Sequence, residues 1–245
     1  MFICPRRKKM MRAKLTILLL LFALLGSGLQ AVTMDYKVKA LGLEVVSLKI
    51  SREPQSLSIW VKSLIHNKIF PYVDNSYRIN YNKNYFPSNT ERKVINKKTN
   101  CNYYTHYNHA AGSAQMTTSD KQNQQYRITN RTRELFSLIM MFCDGKGKAG
   151  TYELDANGSM WQAKARYLGS SKISTKAGDF QAQGWSFSFS SETHTKPPYV
   201  DTLTHNIFSS KNKTEFWVDN KGTLVKAKVS RGILSASWEL VSVNP

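Results

Sequence analysis

The chain has 245 residues, 35 of them basic and 16 acidic, for a formal net charge of +19. A surplus of that size points to anionic partners (lipid headgroups, acidic glycans or nucleic acid) unless the cations simply coat a solvated face. Three cysteines without a Cys-x-x-Cys pair exclude a thiol-redox motif, and no Pro/Gly/Ser-rich linker or repeat divides the chain, so one domain is expected.

The amino end reads first. Arg6, Arg7, Lys8, Lys9, Arg12 and Lys14 come with no acid, residues 15–25 are almost wholly apolar, and Gly26, Ser27, Gly28 and Ala31 make a small-residue exit. This is the pattern of a cleavable signal peptide over 1–31, with cleavage after Ala31. The apolar run is shorter than the roughly 20 residues that span a bilayer, so retention as a membrane anchor is the alternative. No cysteine follows the run, which argues against a lipid-anchored form, and Met10 or Met11 would serve equally as the start. Export places the mature chain in the periplasm and disfavours nucleic acid as a partner. Six basic residues and no acid leave with the signal, so the remainder carries +13.

Most of that remainder alternates. In 36–50, Tyr36, Val38 and Ala40 share one face, with Lys37 and Lys39 on the other; Leu57, Ile59 and Val61 repeat the pattern around Ser58 and Trp60. A period of two marks half-buried strands, and Pro54 marks a turn over 51–55. Residues 77–81 alternate again and stop before Phe86-Pro87; 91–95 and 101–107 read as strands, and the polar stretch 110–125 as a loop.

Residues 131–142 differ. Leu135, Leu138, Ile139 and Phe142 recur three and four apart, a helical stripe with Thr129, Asn130 or Thr132 as its cap and Gly145 beyond its end. Met140-Met141 reads as core filler. Strands then return at 151–154, 160–168 and 172–175, with turns at Asn157-Gly158 and Gly178-Asp179. Trp185, Phe187 and Phe189 alternate with serines, 215–218 and 223–230 make a hairpin, and 233–243 supplies a last strand. Roughly ten to twelve strands and one short helix predict a mainly β fold: a curved antiparallel sheet, barrel-like or half-barrel, as a single domain over 32–245. Cys4 leaves with the signal; Cys101 and Cys143 remain as an even pair in an oxidising compartment and are predicted to form a disulfide, two buried thiols too far apart to bridge being the alternative.

These landmarks also follow an order. Tyr36-Lys37-Val38 with Gly42, the tyrosine-rich 77–81 with Phe86-Pro87, Leu135-Phe136-Ser137-Leu138, Ser174-Thr175 with Gly178-Asp179-Phe180, and Phe216-Trp217-Val218-Asp219 with Leu224-Val225 and Gly232 run through nearly the whole mature region. The chain resembles a bacterial family of exported proteins known as domain-of-unknown-function family thirty-one-oh-eight. The family usually carries an arginine soon after the helix, where this chain has Phe142-Cys143-Asp144. The resemblance implies an envelope location and a curved β fold, with no reaction attached.

Little points to catalysis. His106 and His109 form H-x-x-H near Cys101, but residues three apart on a strand face opposite ways, and a metal needs three or four converging ligands. No G-x-S-x-G or phosphate loop occurs, Ser137 lies within the helical stripe, and Glu153 with Asp155 reads as a hairpin surface. No metal, cofactor or catalytic set is assigned, and a hydrolase is the weaker reading. Aromatics are the remaining asset: Trp60, Tyr77, Tyr81, Trp161, Trp185, Phe187 and Trp217 are candidates to line a concave ligand site, against plain core packing. The expected function is binding or carriage of an envelope component, an anionic lipid or glycan, with peripheral membrane contact open; a protein-binding or structural envelope factor is the alternative.

Overall fold

The computed structural model describes residues 31–97, 99–191, 201, 204 and 207–244, so the expected signal peptide lies outside them except for Ala31. The chain first meanders through eight strands: β1 (Val32–Ala40), β2 (Leu43–Glu53), β3 (Ser56–Ser63), β4 (Asp74–Tyr81), β5 (Pro87–Ile95), β6 (Asn100–Asn108), β7 (Ser113–Thr118) and β8 (Asn123–Arg127). A short strand β9 (Arg133–Glu134) leads into the helix α1 (Leu135–Cys143). A second meander then follows: β10 (Gly150–Asp155), β11 (Met160–Thr175), β12 (Gly178–Ser190), β13 (Lys213–Asp219), β14 (Leu224–Arg231) and β15 (Leu234–Asn244). All belong to one sheet, because β15 pairs antiparallel with β1 from Thr33↔Asn244 to Ala40↔Ala236, which leaves β8 and β9 as the sheet edges. Every pairing is antiparallel except that of β9 with β10.

Alternation sets the inner face. Tyr77, Ile79 and Tyr81 on β4 and Leu57, Ile59 and Val61 on β3 are buried, while Trp60 between them is exposed. The sheet curls around α1, whose residues Leu135, Leu138, Met140, Met141, Phe142 and Cys143 are buried in the concavity. At its carboxyl end, the Phe142 ring meets the edges of Tyr152, Trp185, Phe187 and Phe216 at centroid distances of 4.8–5.8 Å. Such T-shaped contacts suit the ring quadrupole and add to area burial.

Side chains draw the two edge regions together. The Tyr126 hydroxyl on β8 and the Tyr107 hydroxyl on β6 donate to Oδ2 of Asp155 on β10 at 2.6 and 2.7 Å, and the Gly158 N–H donates to its Oδ1 at 2.8 Å. A side-chain seam thus stands where a closed barrel would have a backbone ladder. On the other side, β11 and β12 run beyond their neighbours. A bulge between Tyr167 and Gly169, with Gly169 at φ +97°, turns this arm so that β11 reaches β14 and β15. Lys176 at its tip pairs with Glu44 on β2 at 2.7 Å.

Four expectations need correction. Among the described residues the sheet has fifteen strands, more than the pattern suggested. The stretch 110–125 is no loop: it holds β7 and the start of β8, with Ala114, Met116 and Thr118 buried in alternation. Small and polar inward residues hid that period. The helix starts at Leu135, with Glu134 rather than a threonine or Asn130 as its cap, because Arg133 and Glu134 are held as a strand by β10. Finally, Cys101 and Cys143 are both free thiols. Cys101 sits on β6 against Ser119, whereas Cys143 ends α1 next to Asp144, which pairs with Arg52 on β2. Three strands lie between β2 and β6. At about 4.8 Å per strand, that exceeds the ~7 Å Cα span a disulfide tolerates.

Candidate ligand-binding cleft

Two kinds of space remain once the helix is in place. The first is inside. An apolar cavity of about 70 Å³ lies between α1 and the wall of β1–β3, β14 and β15, lined by Tyr36, Leu48, Ile59, Phe136 and Trp238. Thr214 Oγ1 is buried among these residues with no hydrogen-bond partner in the described structure. The volume is far below the roughly 300–1,000 Å³ of ordinary small-molecule sites. The concave face is therefore a packed core and not a lipid-sized hollow.

Around that cavity the core is polar on one side. The Arg92 guanidinium and the Glu134 carboxylate, both almost fully buried, pair at 3.2 Å, and Arg92 also donates to Asn157 Oδ1 at 2.7 Å. Thr204 donates to Asp201, which also accepts from the Tyr77 hydroxyl at 2.9 Å and the Asn75 amide at 3.1 Å. Burial, and then the charge of Asp201, hold the Tyr77 hydroxyl well above its ordinary pKa. Every member shown has partners, so the network fixes the strands to the helix entry and offers no free group to a substrate.

The second is at the surface, where several clefts open. Beside larger ones of about 610 and 710 Å³, the one with the tyrosine pair, of about 410 Å³, lies at the amino end of β1. Its floor is Asp144, just past α1, which pairs with Arg52 of β2 and accepts from the Tyr85 hydroxyl. Burial opposes the Arg52 charge, but the hydrogen bond and charge of Asp144 outweigh it and raise the pKa. The Tyr81 and Tyr85 rings stack at 5.6 Å, and Lys146 Nζ lies 5.1 Å from the Tyr85 ring centre. Burial first, and Asp144 second, keep the Tyr85 hydroxyl protonated far above its usual range. Lys83 and Lys221 complete the rim. Among the described residues, Lys83, Lys146 and Lys221 form no ion pair. Tyr85 adopts φ +63°, a left-handed conformation that side chains other than glycine, asparagine and aspartate seldom take. Strained residues of this kind gather at binding sites, where the surrounding structure over-determines them. Tyr81 and Tyr85 are themselves almost buried, at 5% and 4% exposure, and belong to the core, so the cleft is presented mainly by the exposed, unpaired ammonium groups, which suit a group that carries phosphate or carboxylate.

Of the aromatics singled out from sequence, Tyr81 lines this cleft. Tyr77, Trp185 and Phe187 are core residues, Trp161 packs on Phe208, and Trp60 and Trp217 stand on the outer parity of their strands. The structure thus disperses the set. Arg52, Tyr85, Asp144 and Lys146 went unnoticed, because Arg52 and Asp144 are 92 positions apart and no local pattern joins them. His109 is turned onto the Pro87 carbonyl at 2.8 Å and stacked on Tyr107.

A single, strongly curved and almost wholly antiparallel sheet wrapped on the helix α1 defines a barrel-like β protein. The description "Protein of unknown function (DUF3108)" matches residues 33–236, and the chain belongs to that family. No functionally curated protein matches the sequence. Among solved structures it is similar to a β-barrel-like protein of domain of unknown function DUF1849 from Brucella abortus: 8% identity, 88% of this chain and 98% of that one covered, TM-score 0.60. It also aligns with the hypothetical lipoprotein YmcC from Escherichia coli (K12), at 10% identity over 89% of this chain and 86% of that one, with a TM-score of 0.34. The first of these shows a shared fold.

Proposed function

We propose that this chain is an exported envelope protein without catalytic activity, whose task is to hold the anionic, sugar- or headgroup-like part of an envelope component in the Tyr81–Tyr85 cleft. The observation that carries the reading is the trio of exposed lysines, Lys83, Lys146 and Lys221, around a cleft whose own floor charges, Arg52 and Asp144, already cancel. The basic, apolar, small-residue amino end supports export. Cleavage after Ala31 would leave the α-ammonium group of Val32 beside the same cleft, one more cation. The filled core argues against carriage of a whole lipid inside the sheet.

Calorimetric titration tests this, with a galacturonate oligosaccharide, inorganic phosphate and a short-chain phosphatidylglycerol as separate probes. At least one should bind at a single site that weakens with salt, as exposed charge pairs do. Lys83→Ala, Lys146→Ala and Lys221→Ala combined should lower that affinity at least about tenfold, since each charge-assisted contact contributes on the order of 1 kcal/mol. If none of the probes binds, or if the triple variant binds as the parent does, the reading is wrong.

A further inference from the structure

The end of the sheet opposite the cleft has a different chemistry. The β1–β2 and β14–β15 turns lie on neighbouring strands, because Ala40 pairs with Ala236. Their tips are aliphatic and bare: Leu41 is 62% exposed, Leu43 50%, Ile233 101% and Leu234 56%. Leu64 donates its N–H to Val45 at 2.9 Å beside them, and the loop it opens carries Ile69, 69% exposed. Scattered single apolar residues on a surface need no explanation, but a cluster of them on adjacent tips does.

Leu41 sharpens the point. It holds φ +51° in a two-residue turn, the position where glycine, asparagine or aspartate is favoured. A leucine there bears a conformational cost, and with its side chain 62% exposed it gains little packing in return. Around the tips stand Lys62, Lys68 and Arg231, none in an ion pair among the described residues.

We infer that this rim docks on an anionic phospholipid surface, the Leu41, Leu43, Ile233 and Leu234 side chains entering the headgroup–acyl boundary while the flanking cations meet lipid phosphates. Protruding aliphatic tips ringed by cations are the form that interfacial insertion favours. A second copy of the chain fits poorly, because rim-to-rim contact would bring the same cations together. The rim stands apart from the cleft: eight steps along β1, at about 3.3 Å each, put roughly 26 Å between Val32 and Ala40. A molecule docked by its rim therefore holds its cleft away from that bilayer, so the two surfaces are separable by experiment.

The test uses the protein expressed with its own amino-terminal segment and purified as the cell processes it. It is floated with vesicles of phosphatidylglycerol and phosphatidylethanolamine, and with neutral phosphatidylcholine vesicles. The parent should partition onto the anionic vesicles and hardly onto the neutral ones. The variant Leu41→Asn with Ile233→Ser should bind the anionic vesicles at least about tenfold more weakly, since each lost side chain removes most of its buried apolar area. Its melting temperature should not fall, because asparagine accepts the left-handed turn and Ile233 packs on nothing. Trp60→Ser, an exposed aromatic on the sheet's outer face, should bind as the parent does, as should the triple lysine variant of the cleft. Failure of the parent to bind anionic vesicles, undiminished binding by the rim variant, or loss that follows only the cleft lysines would each overturn the inference.

Discussion

Replacing Glu134 probes the link between sheet and helix most directly. Its carboxylate does two jobs: Oε1 pairs with Arg92 at 3.2 Å, while Oε2 accepts the Phe136 and Ser137 N–H groups at 2.7 and 3.2 Å and so caps α1. Both partners of the ion pair are almost fully buried, at 3% and 1% exposure. Removing one member of such a pair takes a counter-charge from the other, which stays buried, and costs about 3–5 kcal/mol. Losing the cap adds about 1 kcal/mol. Glu134→Ala should therefore cost about 4–6 kcal/mol, a large part of the 5–15 kcal/mol that holds an ordinary domain together. Glu134→Gln keeps an oxygen for the helix N–H groups and loses the charge alone, so it should be milder by about the cap's contribution. Adding Arg92→Met to Glu134→Gln removes the buried guanidinium charge as well and should restore more than half of the loss. Urea unfolding followed by tryptophan fluorescence measures all three. If Glu134→Gln lies within about 1 kcal/mol of the parent, or if the double variant is no more stable than Glu134→Gln, then the pair is not the anchor described here.

Further outcomes follow from the same contacts. Alkylation without reductant should modify both thiols of the denatured mature chain. In the folded protein, Cys101 should react first and Cys143 very slowly, because burial pushes the Cys143 thiol up to about 12; a mass consistent with a Cys101–Cys143 bridge would refute this. Stability should fall as pH rises above about 8.5. The sign follows from burial, which raises the folded pKa values of Cys143, Tyr36, Tyr77 and Tyr107, so the unfolded chain sheds these protons first. A melting temperature that holds constant between pH 8 and pH 11 would contradict it. Gly147→Ala should destabilise by roughly 1–3 kcal/mol, because its new methyl would stand 2.3 Å from the Phe142 ring, which four aromatic neighbours hold in place; an unchanged chemical unfolding midpoint would count against that packing.

What the sequence revealed, and what it hid, follows from how far apart the cooperating residues lie. Where inward positions are large and apolar, as at Leu57, Ile59 and Val61, parity alone locates the strand and even assigns Trp60 to the outer face. Where inward positions are Ala114, Met116 and Thr118, the same geometry leaves no hydrophobic signal, and β7 reads as a loop. The helix shows in its stripe, but its cap does not. Glu134 takes that role only because its β10 partner Asp155, 21 positions later, holds its backbone extended, and because Arg92, 42 positions earlier, shares its charge. The cleft is more remote still. Arg52 meets Asp144 across 92 positions and Tyr85 meets it across 59, so each looks in sequence like an unremarkable surface residue. A local period can say which way a side chain points, because pointing is decided within one strand. It cannot say what the side chain meets, because that depends on β15 closing against β1 and on the helix crossing the sheet. A binding site assembled from turns at one end of a long meander is thus the part of this protein that sequence conceals best, and its exposed lysines, Lys83, Lys146 and Lys221, are the part that the core does not use.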